Sequence, residues 1–313
     1  MPDFELLRML GSMNEYDVVI IGGGVAGLSA ALVLGRARRK VVVIDGGTPR
    51  NAPAAHAHGF LTRDGIPPKE LLEIGRDEVR GYGVEIVDDV VHRLRHDKAV
   101  ELANGRVISG RRIVVTTGLA DELPDVPGVA ERFGTDVLHC PYCHGWEVRD
   151  QRFGVLATSD KAIHQALIVW QWSKDLTFFT HTQQISAEDR EKLTALGIRI
   201  VDGKVSELAV EDDRLTGVRL VDGDFVERDV VFVGPKFVPH DELLAQIGCA
   251  RTETGSIAVD AQGRTNVDGV WAAGNVVDPM AQLVVAAGDA YRMATVLNFD
   301  LVLEDQGATL ASA

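Results

Sequence analysis

A chain of 313 residues is long enough for two domains of ordinary size, and 46% hydrophobic with 25% charged residues is the balance of a globular protein, not a fibrous or disordered one. A formal net charge of −14 repels phosphate backbones and anionic lipid, which excludes nucleic acid and membrane surfaces as general partners, and no apolar run has the length of a membrane span. Three cysteines, two of them in one motif, are too few for a secreted disulfide scaffold and predict a cytoplasmic protein.

Residues 1–14 read as a leader outside the fold, and Met1 to Met13 lack the basic start and apolar core of a signal peptide. From Tyr16 the pattern sharpens. Asp17-Val18-Val19-Ile20-Ile21 predicts a short buried strand, followed by Gly22-Gly23-Gly24-Val25-Ala26-Gly27 and a helix through Leu34. Gly22, Gly24 and Gly27 form a G-x-G-x-x-G fingerprint between strand and helix, where bare backbone approaches a pyrophosphate and the helix N-terminus faces it. A second strand, Lys40 to Ile44, ends at Asp45, whose carboxylate suits a ribose hydroxyl; Gly46 and Gly47 after it also fit an ordinary turn. Together these features predict a dinucleotide site.

The loop from Pro49 to Phe60 carries His56 and His58, suited either to acid–base work near a flavin or to backbone hydrogen bonds. Pro67 and Pro68 open a helix through about Gly81, and Gly83 to Leu94 reads as strand. Asn104-Gly105, between Val100-Glu101-Leu102 and Val107-Ile108, signals a tight hairpin, and Ile113 to Gly118 closes this first unit.

Near the middle of the chain stands Cys140-Pro141-Tyr142-Cys143-His144-Gly145-Trp146. Two thiols separated by two residues can close a small disulfide, which makes a two-electron switch. His144 could give a proton to the thiol pair, or take one from it, near neutral pH. A closed zinc site would need a second ligand pair at similar spacing, which the chain lacks, so the motif is read as redox-active with no metal. Tyr142 and Trp146 suit either a small-molecule entry or packing.

The pattern then starts again. Gly83-Val84-Glu85-Ile86-Val87-Asp88 returns as Gly197-Ile198-Arg199-Ile200-Val201-Asp202, Asp222-Gly223 repeats the Asn104-Gly105 hairpin, and Val230 to Gly234 repeats Ile113 to Gly118. A duplicated supersecondary unit predicts two nucleotide-binding domains of common plan, the second inserted within the first. The second copy lacks the fingerprint: Ala157, Ser159 and Ala162 stand where Gly22, Gly24 and Gly27 stand in the first, and each added β-carbon obstructs a pyrophosphate. The far strand, Leu176 to Gln183, also ends without arginine.

The last segment runs Thr265-Asn266-Val267-Asp268-Gly269-Val270-Trp271-Ala272-Ala273-Gly274-Asn275, a short strand that can place the Asn275 amide against the polar chain of a flavin. The following helix, with Gln282 near its start, can direct backbone N–H groups toward the flavin ring. Cys249, at the end of a short helix, reads as a buried inert thiol.

Over about residues 16–300 the chain resembles the low-molecular-weight thioredoxin reductase family of flavoprotein disulfide oxidoreductases. The motifs are Gly22 to Gly27, Thr117-Gly118, Cys140-x-x-Cys143 and Thr265-x-Val267-x-Gly269-Val270-Trp271-Ala272-Ala273-Gly274. The resemblance implies an α/β fold of two Rossmann-like, three-layer ββα domains: an FAD domain from residues 15–120 and 238–313, and an inserted NAD(P)-binding-like domain, 121–237, carrying the disulfide. It implies a homodimer and FAD contacts from Gly22, Gly24, Gly27, Asp45, Asn51, Thr117, Gly118, Gly274, Asn275 and Gln282. It also implies that Cys143 lies next to the flavin and attacks it, while Cys140 is the more exposed thiol that exchanges with substrate.

Three departures redirect the expected function. His144 replaces the family's aspartate proton donor, Asn275 replaces an aspartate, and the inserted domain lacks both the glycine fingerprint and the arginine pair that holds the 2'-phosphate of NADPH. A charge-assisted hydrogen bond contributes about 1.5–3 kcal/mol, so the loss of two weakens NADPH roughly 10² to 10⁴-fold. Cys-x-x-Cys-His-Gly with a degraded nicotinamide site resembles the FAD-dependent dithiol oxidases of gliotoxin-type and holomycin-type biosynthesis. That resemblance implies a small-molecule dithiol as substrate and molecular oxygen as acceptor. The alternative is an NADPH-dependent reductase acting on a thioredoxin-like protein.

Overall fold

The computed structural model describes residues 16–311, so the expected leader lies outside the described residues. The chain divides into two compact units. The first takes residues 16–50, Lys69–Ala120 and 238–311; the second takes Asn51–Pro68 and Asp121–Phe237. The segment Asn51–Pro68, which the sequence reading leaves with the first unit, groups with the second.

In the first unit, β1 (Tyr16–Ile21), β2 (Val41–Asp45) and β3 (Glu85–Asp88) run parallel, while β4 (Val91–Leu94), β5 (Ala99–Leu102) and β6 (Val107–Val115) form an antiparallel meander. The sheet order is β3-β2-β1-β6-β5-β4, because β6 is long enough to pair with β5 at one end and with β1 at the other. Side chains alternate across β1, so Val18 and Ile20 enter one core while Val19 and Ile21 enter another. The first core also holds Leu28, Ala31 and Leu34 of the helix Val25–Arg36; the second holds Leu94, Val100 and Leu102 of the meander. A helix layer, a parallel sheet and a β-layer result. Gly83 to Leu94, read as one strand, is two: the ladder with β2 ends where Asp45 meets Asp88, and β4 begins the meander. The chain leaves this unit through β7 (Leu119–Glu122).

The second unit repeats the plan. Its strands are β8 (Val137–Leu138), β9 (Phe153–Leu156), β10 (Leu176–Phe179), β11 (Arg199–Val201), β12 (Val205–Glu211), β13 (Arg214–Leu220), β14 (Phe225–Glu227) and β15 (Val230–Val233). The parallel order is β11-β10-β9-β15-β8, with β12-β13-β14 as the separate antiparallel layer. Register repeats with topology: Ile20 faces Val43 and Val114 in the first unit, and Val155 faces Phe178 and Phe232 in the second. Both predicted hairpins form, with Gly105 at φ +86° and Gly223 at φ +100°, a region that only glycine enters without strain. β10 ends at Phe179, short of the expected Gln183.

The chain returns through β16 (Lys236–Pro239), which pairs with β7, and β17 (Val270–Ala272), which adds to β6 in parallel. The closing helix, Leu283–Ala311, buries Ala286, Ala290, Met293, Ala294, Leu297 and Leu301, a helical stripe that packs in the core beside Val25–Arg36. Its outer face leaves Val284, Tyr291, Phe299 and Leu303 exposed. Among the described residues, no helix is long and apolar enough to cross a membrane.

Candidate functional site

Two sets of candidate residues form, one in each unit. In the first, the three fingerprint glycines have different reasons to be glycine. Gly22 has φ +105° and a β-carbon there would overlap the Thr116 carbonyl; one on Gly27 would overlap the Gly22 carbonyl. Those two let strand, turn and helix close on each other. Gly24 is different: a β-carbon there would meet nothing within 4 Å. Gly24 is also the N-cap of the helix Val25–Arg36, and no side chain caps the first turn. Uncapped N–H groups beside open space suit a pyrophosphate, so the residues present fit a dinucleotide such as FAD.

Asp45 closes the turn from the side. Its Oδ1 accepts from the Gly23 N–H at 3.3 Å and the Gly47 N–H at 3.2 Å, and its Oδ2 pairs with Arg76 Nη1 at 2.7 Å. Arg76 also pairs with Asp88. The sequence reading missed Arg76; its position on an amphipathic helix, Pro68–Arg80, gives no local sign that it reaches the end of β2.

The remaining expected contacts divide. Thr116 touches the glycine turn, its hydroxyl donating to the Gly22 carbonyl at 2.9 Å. Its neighbours face another segment: the Thr117 hydroxyl donates to the His240 carbonyl at 2.6 Å, and Gly118 accepts from the His240 N–H at 3.0 Å. Gly274, at φ +77°, brings its turn so close to the fingerprint helix that an added β-carbon would lie 2.9 Å from that of Ala26. The Asn275 amide nitrogen donates to the carbonyls of Asp278 at 3.0 Å and Ala281 at 2.9 Å, while its Oδ1 lies 3.4 Å from Arg50 Nη1. Asn275 therefore shapes the turn before the closing helix, and the part left to face a ligand is its oxygen. Gln282 opens that helix, its carbonyl accepting from the Ala286 N–H at 2.9 Å. Asn51 falls in the second unit, where its carbonyl accepts from the Ala54 N–H at 3.1 Å.

In the second unit, Cys140 is extended and caps a one-turn helix, Pro141–His144. Proline at the first helical position has the required φ and lacks an N–H that would go unsatisfied. The Cys140 carbonyl accepts from the N–H groups of Cys143 at 3.2 Å and His144 at 3.3 Å, which turns both thiol-bearing residues onto one short arc. Both cysteines are half-buried. Gly145 lies against Trp172, whose ring would be 2.9 Å from an added β-carbon. Tyr142 meets the edge of Trp172 at 5.5 Å between ring centroids, and Trp146 carries the Arg149 guanidinium 4.0 Å over its ring. Yet Tyr142 is 70% and Trp146 65% exposed, so neither is core packing.

His144 is the unusual group. Both of its ring nitrogens are buried with no hydrogen-bond partner among the described residues. Burial pushes its pKa below the ordinary histidine value, repulsion from His58 adds to this, and the Glu147 carboxylate and the Cys140 backbone oppose it. At pH 7 the ring is neutral and free to accept a proton. His58 comes from the loop Asn51–Pro68, with Nδ1 3.4 Å from Asp64 Oδ2 and Nε2 3.5 Å from Glu147 Oε1. Its neighbour His56 takes the plainer role, its Nδ1 bonding the Gly65 carbonyl at 2.9 Å. The sequence reading marked both histidines but not the two carboxylates around His58.

The second glycine turn carries side chains instead. The Thr158 hydroxyl donates to the Gly234 carbonyl at 3.0 Å. Beyond β10, His181 Nδ1 accepts from the Val205 N–H at 3.0 Å, and Arg190 on the next helix, Ala187–Ala195, is held by both oxygens of Asp202 at 2.8 and 3.2 Å.

The sequence profile of the pyridine nucleotide-disulphide oxidoreductases matches residues 16–290. Thioredoxin reductase sirT of Leptosphaeria maculans is 30% identical, with 94% of this chain and 96% of the relative covered. Among solved structures, HlmI superposes with a TM-score of 0.91 at 51% identity, covering 95% of this chain and 96% of that one. The putative thioredoxin reductase TrxB from Bacillus anthracis gives 0.89 at 31% identity, covering 93% and 99%. A match over nearly the whole of both units, with the glycine turn of the first unit intact, means that the chain belongs to the pyridine nucleotide-disulphide oxidoreductase family, as a thioredoxin reductase-like flavoenzyme that binds FAD.

Proposed function

We propose that the protein oxidises a small dithiol to its disulfide through Cys140 and Cys143, with molecular oxygen as the final acceptor. The balance is R(SH)₂ + O₂ → R(S–S) + H₂O₂. One observation carries the choice of an oxidase over a nicotinamide-driven reductase: the second unit's nucleotide turn is built from Ala157, Thr158 and Ser159, with Thr158 tied to Gly234 and Arg190 committed to Asp202. β-Carbons stand where bare backbone would meet a pyrophosphate, and the loop directly after β10, residues 180–186, has no arginine to hold a 2'-phosphate.

In this reading a substrate thiolate attacks Cys140 of the Cys140–Cys143 disulfide, and the bond between the two cysteines breaks. The second substrate thiol then attacks the first substrate sulfur, closes the product disulfide and releases Cys140. Neutral His144 takes the proton that the attacking thiol gives up. FAD, when bound, supplies the two-electron acceptor that returns the cysteines to the disulfide and that oxygen reoxidises. The exposed Tyr142 and Trp146 present apolar rings beside the cysteines and suit a small substrate with a flat apolar body. We place the enzyme in the cytoplasm as a homodimer, paired through the apolar outer stripe of the closing helix, Val284, Tyr291, Phe299 and Leu303.

The test is anaerobic mixing of the yellow holoenzyme with dithiothreitol or with NADPH while the flavin absorbance is followed. Rapid bleaching by dithiothreitol, then recovery with formation of peroxide on admitting air, is the expected result. Rapid bleaching by NADPH alone would replace this reading with a thioredoxin-disulfide reductase acting on a thioredoxin-like protein, the activity that the relatives' names favour.

A further inference from the structure

The residue before the redox pair is held more firmly than a loop requires. β8 runs beside β15 in parallel, with Leu138 facing Phe232, and delivers His139 to the end of the ladder. There the His139 ring places Nδ1 3.2 Å from the Val233 carbonyl; a carbonyl only accepts, so Nδ1 carries the hydrogen. The ring also packs edge to face with Phe237, 5.3 Å between centroids. Gln165 takes the backbone of the same residue: its Nε2 donates to the His139 carbonyl at 2.8 Å, on the peptide whose nitrogen belongs to Cys140.

We propose that Gln165 is a positioning residue for the redox pair: by pinning the His139–Cys140 peptide it holds the Cys140 thiol beside that of Cys143 and stabilises their disulfide. This rests on the reading above in which the two cysteines cycle between dithiol and disulfide. Gln165 stands about one turn into the helix Ala162–Val169, and the chain that follows brings Trp172 against Gly145, so one stretch grips the motif at both ends. That helix starts where Ala157, Ser159 and Ala162 replace fingerprint glycines, so its hold on the motif stands apart from nucleotide binding. Gln165 is also a poor choice for packing alone. Its Oε1 is buried with no partner among the described residues, and three of the five side-chain atoms so placed belong to Gln165 and His144, which concentrates the unpaired groups at the motif.

The pin acts on a redox equilibrium. Against glutathione the exchange is Enz(SH)₂ + GSSG ⇌ Enz(S–S) + 2 GSH: a bond forms between the two cysteine sulfurs, the glutathione disulfide breaks, and its two sulfurs take the two thiol protons. The constant of this exchange measures how closely the fold keeps the two thiols together before they bond, since a restraint already present in the dithiol is freedom that the disulfide no longer has to remove. Both cysteines are thiols in this arrangement, with the Cys140 carbonyl taking the N–H groups of Cys143 and His144, so the pin holds the reduced pair. Without it the reduced pair gains freedom, while the disulfide, closed by its own bond, gains less. The constant then falls.

The test equilibrates the FAD-loaded enzyme anaerobically in glutathione buffers, traps thiols with iodoacetamide and counts them on the peptide that carries Cys140 and Cys143. Q165M keeps the length of the side chain and removes the amide together with its unpaired oxygen. It should fold as wild type does and lower the constant about tenfold, which makes the disulfide about 30 mV easier to reduce. Q165N retains an amide that is one methylene short of the carbonyl and should do the same. H164Q, an exposed change on the same helix, should leave the constant at the wild-type value. Tm and FAD content are read alongside as controls for folding. A wild-type constant in both Q165M and Q165N would overturn the assignment, as would an equal fall in H164Q, which traces the effect to the helix and not to the bond. If the wild-type pair keeps two thiols even in oxidised glutathione, the dithiol–disulfide reading itself fails and takes the inference with it; a measurable wild-type constant that the variants leave unchanged removes the inference alone.

Discussion

Arg76 reaches from the middle of its helix to place Nη1 2.7 Å from Asp45 Oδ2, and both side chains are only 17% exposed. The aspartate therefore acts as a clamp for the glycine turn, since its other oxygen takes the Gly23 and Gly47 N–H groups. Either R76Q or D45N should lower stability by about 1–2 kcal/mol, a charge-assisted bond discounted for partial exposure. Because R76Q removes the same pair as D45N and the pair with Asp88 besides, the double variant should lose little more than R76Q alone. Thermal unfolding of the four proteins, with FAD affinity measured alongside, checks this. Additive losses would mean that the two residues act separately.

In the proposed dithiol oxidation, the neutrality of His144 sets the acid side of the activity profile. Burial, with repulsion from His58, holds its pKa below the ordinary histidine value, so the ring stays a base at pH 7 and is lost only as pH falls further. Glu147 pulls the other way, so E147Q should move the acid limb of dithiol oxidation to still lower pH. Stability follows the same sign. The folded state resists the proton that the unfolded chain accepts, so stability is lost as pH falls through the ordinary histidine range toward the lowered value. H144Q should flatten that loss while slowing turnover by about 10² or more. An acid limb that E147Q leaves in place would assign it to another group.

Much of this was legible in the sequence because it was written in local patterns. The run Asp17 to Ile21 ahead of three spaced glycines fixed the first strand, turn and helix, and the recurrence of Gly83 to Asp88 at Gly197 to Asp202 announced the second unit's plan. What stayed hidden depends on chain brought from far away. Arg76 is 31 residues from Asp45, and Glu147 reaches His58 across 89 positions, with neither spacing imposed by a helix or a strand. The break within Gly83 to Leu94 was hidden for a related reason: both halves are good strand sequence, and only the end of the β2 ladder divides them. The turn contacts of Asn275 were hidden as well, since a side-chain amide beside a turn satisfies carbonyls of that turn through bonds that no local spacing announces.

The closing helix is tied down by charge as well as by its buried stripe. Arg111 reaches Asp17 at 3.0 Å, Glu304 at 3.0 Å and Asp305 at 2.7 Å; Arg39 also pairs with Asp305 at 2.7 Å, and Arg112 pairs with Glu304 at 2.7 Å. The hydrogen bond from Arg39, with help from Arg111, holds the Asp305 carboxyl below its ordinary pKa. A depressed carboxylate stabilises the fold above its unfolded pKa and loses that contribution as pH falls through the folded value. Both acids are nearly half exposed, so each pair is worth well under about 1 kcal/mol and the effect is local. D305N should raise amide exchange at the end of the helix severalfold at pH 7 without a large change in Tm, and wild type should show the same fraying below about pH 4. Exchange that is insensitive to both would leave the apolar stripe as the sole anchor.

Gly24 and Gly27 separate the turn's two duties, and one substitution at each tells them apart. Alanine at 27 would drive its β-carbon into the Gly22 carbonyl, which can yield only by parting the helix from β1. G27A should therefore destabilise the protein by several kcal/mol, in the range of overpacked core sites, with or without cofactor. Alanine at 24 meets no protein atom and sits at φ −72°, ψ −178°, where any residue is at ease. The apoprotein should unfold at the same temperature as wild type, or slightly higher, because alanine has less freedom to lose from the unfolded chain. Only a pyrophosphate lying over the uncapped helix start would feel the new methyl group, and G24A should then weaken FAD at least about tenfold, equivalent to about 1.4 kcal/mol. Unfolding of the apoproteins together with fluorescence titration of FAD makes the comparison. If G24A keeps wild-type affinity, the open space beside the helix is not where the pyrophosphate lies, and the match between turn and cofactor would have to be sought elsewhere on β1.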